Sequence, residues 1–108
     1  MVITILEAQV SPNRVEDIER EYREGMSEVP PEIRETFLVR DTRDSTQYRI
    51  ITVWESMAAL QAMRASAVTP RGVQIFNAAG AEPDLSIVEV VVHRGKNRPD
   101  GEPVAASS

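Results

Sequence analysis

The chemistry open to this chain is bounded by a short inventory: one tryptophan, two tyrosines, one histidine and no cysteine. Without a thiol there is no disulfide framework and no thiolate site for zinc or an iron–sulfur cluster. A lone histidine, His93, cannot form a histidine cluster around a metal, and no metal site is expected. The chain has no Gly-rich phosphate loop, no GxSxG and no HExxH, so classical nucleophilic catalysis is not indicated. What stands out is Trp54. It closes the apolar run Tyr48–Trp54, and Ser56 follows as a helix N-cap whose hydroxyl can accept a bond from an unpaired amide of the first turn. A tryptophan at such a handover fills the gap between sheet and helix or contacts a ligand, and the two roles are compatible.

The other candidates each have a plainer reading. Tyr22 falls on an apolar helical stripe, where its ring serves the core and its hydroxyl reaches solvent. Met57 and Met63 read as helix packing. His93 ends the last predicted strand, as a surface histidine or as a general base. Arg40 and Arg49 read as solvent-side strand residues, and Glu89 as a cross-strand ion-pair partner.

The elements that must position these residues follow from periodicity. Val2–Val10 alternates as a strand, with Ile3 and Ile5 on one face and Val2, Leu6, Ala8 and Val10 on the other. Ser11-Pro12 supplies an N-cap with proline in the first helical position. Val15, Ile18, Tyr22 and Met26 then form one stripe, and the charged residues between them form a solvated face. Thr36–Arg40 predicts a second strand and Tyr48–Trp54 a third. A helix is expected from Met57 to about Ala67, with Leu60 and Met63 inward. Thr69-Pro70 repeats the cap-and-proline device before a short helix that presents Val73 and Phe76, or Ile75 and Ala79, to the core. Gly80 and Pro83 stop it, and Leu85–His93 is the last strand.

The order β-α-β-β-α-(α)-β is that of a ferredoxin-like split βαβ fold of the α+β class, with an antiparallel sheet. One domain over residues 1–93 is expected, with a flexible tail over 94–108 that is rich in glycine, proline and charge. Whichever parity faces the helices, the opposite face also carries Ile and Val, which predicts a homodimer through the sheet faces. The net charge of −5, with no basic run, argues against nucleic acid. The N-terminus lacks a cationic leader, and no apolar run approaches a membrane span of roughly 20 residues. A cytoplasmic protein without membrane contact is expected.

The run ITVWESMAAL, the hairpin before it and the later GVQIF segment with its closing strand resemble the antibiotic biosynthesis monooxygenase (ABM) domain family of the dimeric α+β barrel superfamily. The resemblance spans roughly residues 2–93, and its sharp local motif is W-E-S-x-x-A-L at Trp54–Leu60. It implies two ferredoxin-like subunits paired into a barrel, each with a cavity between sheet and helices. Characterised members oxidise aromatic polyketides or quinols without metal or flavin, and others bind and degrade haem.

The haem-degrading branch has an early-strand asparagine, a tryptophan inside the second helix and a histidine after it. Here those positions fall at Ala8 or Gln9, near Gln61 and near Arg71, so haem degradation is not expected. The cofactor-free branch needs an aromatic wall and a base or cation near the substrate oxygen. By the resemblance Trp54 supplies the wall, Tyr22, Met63 and Phe76 line the cavity, and Arg40, Arg71 or His93 steadies an oxyanion. The expected function is a cofactor-independent monooxygenase of a small aromatic compound. The rival is a non-catalytic ligand-binding dimer or accessory protein, which the thin polar inventory favours.

Overall fold

Every second residue of Gln47–Trp54 is buried, and the same alternation in Val2–Gln9 buries Val2, Thr4 and Leu6. A burial period of two is the signature of a strand with one covered face. The computed structural model describes residues 1–66 and 68–95. It contains strands β1 (Val2–Gln9), β2 (Ile33–Arg40), β3 (Gln47–Trp54) and β4 (Asp84–Glu89), and helices α1 (Val15–Gly25), α2 (Met57–Ala65) and α3 (Arg71–Ala78). The sheet order is β2-β3-β1-β4, and each neighbouring pair is antiparallel. This is the ferredoxin-like α+β arrangement expected from the sequence.

The helices share one face of the sheet but build two separate cores on it. Ile18 of α1, Ile75 and Phe76 of α3 and Ala79 at the C-cap of α3 pack with Leu6, Tyr48 and Ile50. At the other end of the strands, Leu60 of α2 packs with Val2 and Trp54, flanked by Ile33 and Met63. Gly72 lets α3 lie close to the sheet: a Cβ there would stand 2.6 Å from Leu6 Cδ1, inside any real contact distance. Between the two cores runs one row of the register, Thr36↔Thr52↔Thr4. Small polar residues in that row leave the space between the cores unfilled.

The opposite face carries Ile3, Ile5, Phe37, Val39, Ile51 and Val53, all half-buried, with Val88 exposed at its β4 edge. Its far end is polar, where Arg49 bonds Glu7 at 2.7 Å and approaches Asp41 at 3.8 Å. The adjoining β2–β3 turn is held by Asp44, which accepts from Thr46 Oγ1, Thr46 N and Gln9 Nε2. The Thr46 hydroxyl is the main reason the Asp44 carboxyl sits below its ordinary pKa.

Several boundaries differ from expectation. β2 begins at Ile33 rather than Thr36, because Ile33 pairs with Trp54 after a register shift and joins the Leu60 core. The charged pair Arg34-Glu35 hides that apolar residue from the pattern. β4 ends at Glu89, not His93. Glu89 pairs with Val2, the first residue of β1, and Met1 accepts the next amide, that of Val90. α2 ends at Ala65, two residues early, with Ser66 extended as its C-cap.

Ser56 caps α2 as expected, accepting from Ala59 N at 3.1 Å. Ser11 also stands at an N-cap with Pro12 after it, but neither it nor Thr69 makes a capping bond with its side chain among the described residues. Ser11 leads into a 3₁₀ turn (Pro12–Arg14), and Pro70 itself, rather than Thr69, stands at the N-cap of α3. Glu89 makes no ion pair among the described residues. Of the expected tail, residues 96–108 lie outside those described.

Candidate functional site

A cavity of about 560 Å³ opens between the two cores. β1 and β3 form its floor with Thr4, Leu6, Thr52 and Trp54. Ala59, Leu60 and Met63 of α2 form one wall, and Gly72 and Val73 of α3 form the other. Met26, Pro30 and Ile33 close a third side, while the exposed residues Glu32, Arg64 and Arg71 stand at the rim. The volume falls in the range of small-molecule sites, and mostly apolar walls with few polar groups are their usual composition.

Trp54 shapes this space through a bond as well as through bulk. Its indole N–H donates to Thr4 Oγ1 at 2.9 Å, a buried bond that fixes the ring beside the floor. Nearby, Tyr22 donates its hydroxyl to Thr36 Oγ1 at 3.2 Å, and Thr36 and Thr52 share a bond at 3.3 Å. Tyr22 therefore spends its hydroxyl on the sheet instead of reaching solvent.

Of the residues named from sequence, Trp54, Met63 and Arg71 meet at this cavity. Arg71 Nη1 donates to the Glu28 carbonyl at 3.1 Å, which ties the rim to the loop after α1. Phe76 is not among the cavity-lining residues: it is 0% exposed within the α1–α3 core, because its place on α3 turns it away from the gap. Tyr22 and Arg40 instead border an open polar groove with Glu19 and Tyr48. There Tyr48 donates to Glu19 Oε2 at 2.9 Å, and Arg40 lies 3.8 Å from the same oxygen. Burial, then the bond to Glu19, raises the Tyr48 phenol above its ordinary pKa. His93 is exposed beyond β4 and borders neither space.

The residues that sequence reasoning missed are Thr4, Thr36 and Thr52. A signal existed: in VITIL and IITVW the threonine shares the parity of a core-facing residue, Leu6 in one and Trp54 in the other.

The cavity lining does not suit haem. Histidine, cysteine and tyrosine, which hold haem iron as single protein ligands, are absent from it, and the guanidinium of Arg71 is a donor with no acceptor to offer iron. Among the described residues no group of three His, Cys, Asp or Glu is placed to hold a metal ion. No helix among them is long and apolar enough to cross a membrane.

An antiparallel split βαβ sheet with a cavity between its strands and helices defines a ferredoxin-like ligand-pocket domain. The sequence profile of the antibiotic biosynthesis monooxygenase family matches residues 1–72, and the chain belongs to that family. No curated protein matches it in sequence. Among solved structures, a family protein from Deinococcus radiodurans aligns with a TM-score of 0.69 at 12% identity, covering 91% of this chain and 100% of that one. Another from Bordetella bronchiseptica gives 0.64 at 17% identity, covering 84% and 97%. A MhuD variant, solved with two manganese protoporphyrin IX molecules per active site, gives 0.64 at 23% identity, covering 89% and 100%. At these identities the likeness is one of fold.

Proposed function

We propose that the chain is a cofactor-independent monooxygenase of a small, planar aromatic compound of the quinol or polyketide type. The observation that carries this reading is the cavity between the cores, with Trp54 at its floor and Arg71 at its rim. In this reading the ring of the substrate lies against Trp54 and Met63, and Arg71 steadies its ionised oxygen. The resulting carbanion gives electrons directly to molecular oxygen. For a ring methylene the balance closes: the carbon becomes a carbonyl with one oxygen atom, and the other leaves with both hydrogens as water.

Trp54 is the only tryptophan, so its fluorescence reports binding at one place. Titration with aromatic quinols should change that emission, and the compounds that bind should consume oxygen in the presence of the protein. Turnover that persists without oxygen would sink the mechanism. Binding without oxygen uptake would favour the second reading, a non-catalytic ligand-binding dimer. One observation supports that second reading: the lining contains no histidine, and Glu32 is its one carboxylate among the described residues.

A second copy is the proposed cover for the open face of the sheet. Its half-buried Ile, Val and Phe residues leave a broad apolar surface in contact with water, of the kind that marks an interface. Sedimentation at micromolar concentration should give the mass of two chains, and a monomer there would remove the dimer from the proposal.

A further inference from the structure

Two hydroxyls lie buried at the floor of the cavity, and the hydrogen of at least one of them, Thr4, is spare. Thr4 is 8% exposed and Thr52 is 5% exposed, and both line the cavity. An indole N–H can only donate, so Thr4 Oγ1 must be the acceptor of the bond from Trp54. The Thr4 O–H is thereby free to point elsewhere, and no acceptor for it occurs among the described residues. The second hydroxyl is reached through a chain. Tyr22 donates to Thr36, and if Thr36 donates on to Thr52, the Thr52 O–H is also left over. Thr4 and Thr52 face each other across β1 and β3, which sets their Cβ atoms about 4.5–5.5 Å apart. No hydrogen bond joins them to each other among the described residues.

Buried polar groups in folded proteins are nearly always satisfied, so the Thr4 hydrogen, joined by that of Thr52 when Thr36 is the donor of their bond, calls for an acceptor from outside over this apolar-walled cavity. From this geometry we infer that Thr4 and Thr52 form a two-donor subsite for one oxygen of the ligand, a ring carbonyl or a phenolic oxygen. Trp54 and Tyr22 are positioning residues, which act by setting the direction of the two hydroxyls. The ligand therefore enters oxygen first, with its ring between Trp54 and α2. This rests on the reading of the cavity as a small-molecule site and adds the chemistry that the floor selects.

A matched pair of probes tests it: α-tetralone and tetralin, the same bicyclic frame with and without a carbonyl oxygen. Their affinities for the full chain can be measured by equilibrium dialysis against wild type, Thr4→Val, Thr52→Val and Thr4→Ser, with circular dichroism as the check on folding. The tetralone-to-tetralin affinity ratio should fall about five- to tenfold in each valine variant, the usual loss for one hydrogen bond, and Thr4→Ser should restore it. Thr52→Val leaves the Trp54 acceptor in place, so it remains informative if Thr4→Val folds poorly. If both probes bind and the ratio is the same in wild type and Thr52→Val, the subsite is overturned while the cavity reading stands. If neither probe binds wild type, both are overturned.

Discussion

Replacing Phe76 with alanine is expected to lower the stability of the fold by about 3–5 kcal/mol, the range for truncating a buried phenylalanine. Phe76 is fully buried at the junction of α1, α3 and the sheet, among Ile18, Tyr48, Ile50 and Ile75. A small domain holds only about 5–15 kcal/mol in total, so this one change consumes much of the margin. Its neighbours are poorly placed to collapse into the space left. Tyr48 is tied to Glu19 through its hydroxyl, and Gly25 and Ile75 already fit tightly, with a Cβ on Gly25 standing 3.3 Å from Ile75 Cδ1. Urea unfolding followed by circular dichroism should show a lower midpoint with an unchanged slope. Affinity for an aromatic probe, measured well below that midpoint, should not change, since Phe76 lies outside the cavity. A variant of wild-type stability that has lost the ligand would return Phe76 to the site.

That prediction marks where the sequence was legible. Apolar period offers two inward sets for this segment, Val73 with Phe76 or Ile75 with Ala79, and the structure buries Ile75, Phe76 and Ala79 while Val73 is half-buried. Period cannot distinguish a core-facing residue from a cavity-lining one, because both are apolar and both point at the sheet. The distinction depends on where the helices part. Here they part over three threonines that belong to three different strands and meet only through strand register. Trp54 was legible because its position at the end of a strand, just before a capped helix, is local information. Arg71 reaches the same cavity through the packing of α3, while Arg40, which ends β2, reaches the polar groove beside α1. Strand ends were misjudged for a similar reason. Val91 and Val92 suit a strand by composition, yet the ladder between β1 and β4 ends at the Val2–Glu89 pair, with one further bond from Val90 N to Met1 O.

The second large effect is expected at Leu60, and its signature should differ in kind. Leu60 is the only buried residue of α2, packed at 1% exposure against Val2 and Trp54. Leu60→Ala removes about 2–5 kcal/mol of packing, but the loss falls on a helix with no other deep anchor than the flanking Met63. Local opening of one element is then cheaper than global unfolding, so α2 should detach first. Hydrogen exchange should show the α2 amides losing protection while those of α1, α3 and the central strands stay close to wild type. Since Ala59, Leu60 and Met63 form the wall facing Trp54, ligand affinity should fall with the protection of α2. Phe76→Ala thus strikes the fold and spares the cavity, whereas Leu60→Ala strikes the cavity while most of the fold persists. If α2 kept both its protection and the ligand after Leu60→Ala, the wall would have to be held by something other than this one leucine. The division of the protein into a structural core and a pocket-forming core would then fail.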